Sequence, residues 1–260
     1  MDILLNKNKK FFKANLHTHS VHSDGKLTVE EVKKIYKDKG YSVVAFSDHD
    51  VMVDNSHLND EDFIAITAAE IGVREDYIEA RPQSLTMKNL HFNLFALDPH
   101  NAIDFYKTVL EELPDIHKNI PPEVQADGRY EKVHCDFSIE NINKIIKLAN
   151  EKGFIVSMNH PRWSMPTPEE YLKIENIFAV EIINYACAKS GVPTDEAVAE
   201  QMLRAGKKVF MTAADDSHNW DPIDSPYNDS FGGWVQINAE SLTYDNIMNA
   251  LKNGEFYANK

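Results

Sequence analysis

Short apolar runs alternate along this chain with stretches of helical spacing. Residues 11–17 read as a first strand, and Thr28 with Glu31 three positions on predicts a capping box for a helix running to about Asp38, where Gly40 stops it. Residues 41–47 and 63–69 are further apolar strands, the former ending on Asp48-His49-Asp50 and the latter on Glu70. Residues 90–97 read as a strand beginning at His91, and residues 101–113 fit a helix. The segment 114–137 holds Pro121-Pro122 and Asp127-Gly128 and reads as the irregular part of an insertion over about 98–137. Ile142, Ile145, Ile146 and Ala149 recur at helical spacing behind a Ser138 cap with Asn141 at the third helical position. Gly153 closes that helix, and strand 154–159 leads to His160. Thr167 opens a short helix. Strand 178–183, helix 194–205 closed by Gly206, strand 208–213 and a helix at 244–251 complete the pattern.

Buried strands flanked by helices predict an α/β fold with a largely parallel sheet, closed or nearly closed into a barrel. In such a barrel, polar residues at the carboxyl ends of strands meet on one rim. With 260 residues and no Pro/Gly/Ser-rich linker, one domain over residues 1–260 is expected.

Composition narrows the partners. No uninterrupted apolar stretch is long enough to cross a bilayer, and the first residues lack the apolar core of a secretory signal, so a cytoplasmic protein without a membrane partner is expected. Cys135 and Cys187 are too few for a disulfide framework. The formal charge of −14 repels phosphate backbones, so no long nucleic acid is expected, while a short nucleotide stays open. Neither a Gly-x-x-x-x-Gly-Lys-Ser/Thr phosphate loop nor a Gly-x-Ser-x-Gly nucleophile elbow occurs.

The chemistry is concentrated at strand ends. In His17-Thr18-His19 alternate residues share a face, so both imidazoles can address one ion. Other strand ends bring His49, Glu70, His160, and Asp216 with His218, and Asp24 follows the first strand closely. A lone histidine usually serves as a surface or hydrogen-bonding residue. Repeated termination of apolar strands in metal-ligand types is harder to explain that way.

The ordered set His17-Thr18-His19-Ser20, Ser23-Asp24-Gly25, Ser47-Asp48-His49-Asp50, Glu70, His91, His160-Pro161 and Asp216-Ser217-His218 resembles the polymerase and histidinol phosphatase (PHP) superfamily over nearly the whole chain. The resemblance implies a distorted (β/α)7 barrel carrying two or three divalent ions. By residue matching, His17, His19, Glu70 and Asp216 surround the first; Glu70 bridges to a second held by His91 and His160; Asp24, His49 and His218 hold a third. His134 is the alternative to His91. Imidazole and carboxylate donors suit zinc, manganese or iron.

The implied activity is hydrolysis of a phosphate ester by metal-activated hydroxide, on a small phosphomonoester or nucleotide phosphate. The alternatives are a cyclic phosphodiesterase, an exonuclease on short oligonucleotides, or a non-catalytic metal-binding docking module. Asp48 is a candidate to orient ligands or accept a proton. Arg162 is a candidate phosphate anchor, although relatives often place arginine one position later, where Trp163 stands here. Trp163, Asn184 and Asp215 are candidates for the substrate side, Trp220 brings a second indole near, and Glu181 reads equally well as structural. The oligomeric state is left open.

Overall fold

The computed structural model describes residues 5–74, 88–116 and 137–260. β1 (Lys10–Asn15) is followed by α1 (Val29–Asp38), β2 (Val43–Phe46), β3 (Ile64–Arg74) and β4 (Asn89–Ala96). Then come α2 (Phe105–Glu112), α3 (Ile139–Glu151), β5 (Phe154–Met158), α4 (Pro161–Ser164), α5 (Pro168–Tyr171) and β6 (Ala179–Asn184). The chain ends with α6 (Tyr185–Lys189), α7 (Glu196–Arg204), β7 (Phe210–Ala214), β8 (Trp234–Ala239), α8 (Tyr244–Asn253) and β9 (Phe256–Asn259).

Local chemistry sets the helix ends. At α1 both arms of the capping box form: the Glu31 amide donates to Thr28 Oγ1 at 3.3 Å, and the Thr28 amide to Glu31 Oε2 at 2.9 Å. The Asn141 amide donates to Ser138 Oγ at 3.2 Å, as expected for α3. The helix expected from residue 101 begins four residues later, because Asp104 caps it through the Lys107 amide at 2.9 Å. Behind the sheet, Phe105, Val109, Ile142, Ile145 and Ile146 pack with Ile71, Val73, Leu90, Phe92 and Leu94 in one buried cluster. Truncating one of these, such as Ile145→Ala, costs about 2–5 kcal/mol.

The strands form one sheet in the order β7-β6-β5-β4-β3-β2-β1-β8-β9. Beyond the named strands it curls until its ends meet: Thr18 bridges Ser217 in parallel, the Asp216 amide donates to the His17 carbonyl at 2.9 Å, and the His19 amide to the Ser217 carbonyl at 2.9 Å. The result is a nearly closed barrel of β1–β7 in which the continuations of β1 and β7 make the seam. Gly233, ahead of β8, allows close passage there, since a Cβ would lie 2.3 Å from the Ala214 carbonyl oxygen.

The expectation of a largely parallel sheet is corrected. Pairs β1–β2, β2–β3, β5–β6 and β6–β7 are parallel, but β4 runs antiparallel to both β3 and β5, and β8 is antiparallel to β1 and β9. Reversal of β4 puts its amino end on the rim that collects the carboxyl ends of its neighbours. β8 and β9 were not anticipated. Of the expected insertion at 98–137, α2 and a turn of 3-10 helix at Pro114–Ile116 are ordered elements; residues 117–136, the alternative ligand His134 among them, lie outside the described residues.

Candidate metal centre

Glu70 stands at the centre of the rim. Its buried carboxylate approaches five imidazoles: Oε1 lies 3.3 Å from His17 Nε2, 3.0 Å from His91 Nδ1 and 3.1 Å from His160 Nε2, while Oε2 lies 3.0 Å from His49 Nδ1 and 3.6 Å from His19 Nε2. Asp216 faces it, with Oδ1 3.2 Å from His17 Nε2 and 2.9 Å from His19 Nε2. Further out, Asp24 Oδ1 is 3.8 Å from His19 Nδ1 and 3.5 Å from His218 Nε2, and Asp24 Oδ2 is 4.0 Å from His49 Nε2. All nine residues expected as metal ligands are thus gathered at one place.

Their donor atoms fall into overlapping groups, each compact enough to hold an ion: His17, His19, Glu70 and Asp216; His19, Asp24, His49 and His218; and His49, Glu70 and His91. The first matches the set expected for the first ion, and the second is the expected third set with His19 added. In the group around His91, His49 stands where His160 was expected, although His160 also reaches Glu70.

The side chains are fixed before any ion arrives. The Glu181 carboxylate sits 3.0 Å from His17 Nδ1 through Oε1, and its Oε2 accepts from the His160 amide at 3.0 Å and Asn184 Nδ2 at 2.9 Å. That contact at Nδ1 orients the ring so that Nε2 faces Glu70 and Asp216. Asn159 Nδ2 donates to Glu70 Oε1 at 2.8 Å, and the side-chain amide of Asn89 meets His91 Nε2 at 2.7 Å. His160 and Asp216 sit at φ 26° and 56°, a region costly for residues other than glycine, and these surrounding hydrogen bonds hold them there.

The electrostatics suit cation binding. Burial opposes charge on Glu70 and Asp216, but the surrounding imidazoles outweigh it and hold both carboxyls well below their ordinary range. Burial, then His218 and His49, drives His19 down to about 3, so its ring is neutral and can donate a lone pair. His17 Nε2, His19 Nδ1 and Glu70 Oε2 are buried polar atoms with no hydrogen-bond partner. Such atoms are expensive unless something binds them, and soft-to-borderline nitrogen beside carboxylate oxygen is a donor set that a divalent ion fits.

Several expected substrate contacts are placed elsewhere. Asp48 is buried and fully engaged: Oδ1 accepts from the Ser20 amide at 2.7 Å and Ser23 Oγ at 2.8 Å, and Oδ2 accepts from Ser20 Oγ at 2.8 Å. It holds the loop that carries Asp24. Arg162 turns away from the cavity; its amide donates to Asp195 Oδ1 at 2.9 Å and its Nε lies 3.9 Å from the same oxygen. Asn184 is buried and holds Asp216 Oδ2 at 3.0 Å rather than facing a substrate. Asp215, next to Asp216, points to the other side and accepts from the amides of Phe231, Gly232 and Gly233, each at 2.8 Å, and from Tyr36 Oη at 2.8 Å.

Trp163 does line the cavity, with its ring centroid 5.1 Å from that of His91 and 5.0 Å from that of His160. Trp220 stands on the other wall, 4.8 Å from His218, and its Nε1 donates to the Asp24 carbonyl at 2.8 Å. Asp229, not anticipated, accepts from the amides of His218 and Asn219 at 2.8 and 3.0 Å. The cavity enclosed has a volume of about 510 Å³.

The PHP domain model matches residues 15–154, more than half of the chain, and the protein belongs to that family. Among solved structures, a Bacteroides vulgatus ATCC 8482 chain described as a two-domain protein containing a predicted PHP-like metal-dependent phosphoesterase is 15% identical with a TM-score of 0.56. The match covers 97% of this chain and 66% of that one, so this chain spans about two thirds of its length. A candidate metal-dependent phosphoesterase from Bifidobacterium adolescentis is 16% identical, with a TM-score of 0.48 and coverage of 83% and 91%. An amidohydrolase from Chromobacterium violaceum with bound sulfate and no metal is 14% identical, with a TM-score of 0.45 and coverage of 79% and 87%. Among curated proteins none matches. No helix among the described residues is long and apolar enough to cross a membrane.

Proposed function

We propose that this chain is a metal-dependent hydrolase of small phosphate esters. The observation that carries the reading is the compact group of donors from His17, His19, Glu70 and Asp216, among which His17 Nε2, His19 Nδ1 and Glu70 Oε2 are buried without a hydrogen-bond partner. His17, His19, Glu70 and Asp216 would hold one divalent ion, with further ions taken by Glu70, His91 and His160 and by Asp24, His49 and His218; zinc, manganese and iron suit these donors. When bound, such ions neutralise charge developing on phosphoryl oxygens and lower the pKa of water.

The chain's own residues supply the rest. Glu181 fixes the ring of His17, Asn184 fixes Asp216, and Asn159 fixes Glu70, so little reorganisation remains when a substrate arrives. Trp163 and Trp220 both line the cavity and offer flat apolar surface to the organic part of a substrate. A volume of about 510 Å³ accommodates a small ester or nucleotide, and the carboxylates of Asp221 and Asp229 at its edge disfavour a long polyanion.

Metal analysis combined with phosphate-release assays across mono-, cyclic and linear esters tests the reading. The expected result is turnover of a small monoester that chelation abolishes and metal restores. A metal-replete protein inactive on all three classes would overturn it in favour of a docking module.

A further inference from the structure

We infer that Arg74 is a second anion-binding point in the cavity, gripping an acidic group on the organic part of the substrate; the inference rests on the phosphoesterase reading above. The physical basis is the strand that carries both Arg74 and Glu70. Along β3, Ile71 and Val73 are buried in the apolar cluster behind the sheet. Alternation then turns Glu70, Gly72 and Arg74 to the opposite face, and all three line the cavity. On β4, His91 stands opposite Gly72 and Asn89 opposite Arg74, so the metal centre and the guanidinium share one continuous wall.

Gly72 is the floor between them. A Cβ there would lie 3.3 Å from Asn89 Oδ1 and 3.4 Å from the His91 ring, so any side chain would crowd the passage. Four residues of strand separate the Cα atoms of Glu70 and Arg74 by about 13 Å, wider than a phosphoryl group alone. Whatever bridges them must be a carbon skeleton. Trp163, packed against His91 at 5.1 Å, supplies a flat wall on that side.

The neighbouring cations are already occupied. Lys189 donates to the Pro226 carbonyl at 2.6 Å and lies over the Tyr185 ring, Arg162 lies beside Asp195, and Lys88 pairs with Glu170. Asp50, which also faces the cavity, takes the Tyr106 hydroxyl and the Gly72 amide. Arg74 is exposed and, among the described residues, has no hydrogen bond or ion pair. A guanidinium in that state matches a carboxylate or phosphate oxygen pair. The substrate class is therefore a phosphate monoester whose organic part bears a second acidic group.

The test compares para-carboxyphenyl phosphate with its neutral amide, para-carbamoylphenyl phosphate, on the metal-loaded protein. Wild type should prefer the acid in kcat/KM by about ten- to a hundredfold, the size of one charge-assisted contact. The ratio should fall toward one in Arg74→Gln and recover in part in Arg74→Lys, with circular dichroism confirming the fold. A wild-type ratio near one, or an unchanged ratio in R74Q, overturns the inference while leaving the hydrolase reading intact. If neither ester is hydrolysed, the hydrolase reading is still judged by the assays across all three ester classes, and calorimetry with para-carboxybenzylphosphonate against its carbamoyl analogue decides Arg74. Tighter binding of the acid that R74Q abolishes supports the anion point; equal binding overturns it.

Discussion

The inner and outer parts of the metal centre use the same side-chain types at different depths. His17 and His19 are fully buried, Glu70 is 1% exposed, and their partners are fixed on both sides; Asp24 and His49 are 29% and 22% exposed in their side chains. Depth changes what a ligand can do. A buried carboxylate among imidazoles is dehydrated and held by its neighbours, so an ion taken up there would be shielded from water. The outer group keeps contact with water and is better suited to an ion that comes and goes.

Glu70 belongs to two of the donor groups and reaches His49 of the outer region at 3.0 Å, so replacing it should do the most damage. Glu70→Gln is expected to lower metal content at more than one position and to reduce hydrolysis by about a thousandfold or more, several kcal/mol of lost stabilisation. Full metal content in this variant, measured by elemental analysis, would separate the regions. Next, His49→Asn should remove the outermost ion first in a chelator titration and lower turnover by about a hundredfold, while the ion held by His17 and Asp216 stays. Simultaneous loss of all ions would erase the distinction.

Glu181→Gln touches only the inner region, through the ring of His17. It should weaken metal affinity there by about ten- to a hundredfold, read from competition with a chelator. The smallest effect lies outside both regions. Burial raises the Asp195 carboxyl to about 7, against an ordinary carboxylate near 4. Between about pH 4 and 7 the folded protein therefore binds more protons than the unfolded chain, so this residue makes stability fall as pH rises. Asp195→Asn should flatten that slope, as followed by urea unfolding at pH 5 and 7.5; an unchanged slope would remove Asp195 from the balance.

Much of the arrangement was legible in the sequence, and the failures share a cause. Strand and helix alternation shows in apolar spacing, and ligands show because they interrupt apolar runs at their ends. Direction does not show: nothing in residues 90–97 tells that β4 runs against its neighbours, and β8 has an alternating pattern that did not stand out beside the helix after it. Contacts made across long separations are hidden for the same reason. The place of Arg162 after His160 suggests a phosphate anchor, while the residue it packs beside, Asp195, lies 33 positions further along the chain. Asn184 and Glu181 look like ordinary polar residues in or beside a strand, until the fold brings them against Asp216 and His17.

The seam between the continuations of β1 and β7 has a consequence for how the protein matures. During synthesis His17 and His19 leave the ribosome nearly two hundred residues before Asp216, the ligand that faces them across that seam. No nascent chain short of this point can assemble the innermost set of donors. An ion held by that set would therefore report that translation has passed the seventh strand, whereas the group of His49, Glu70 and His91 is complete much earlier in the chain.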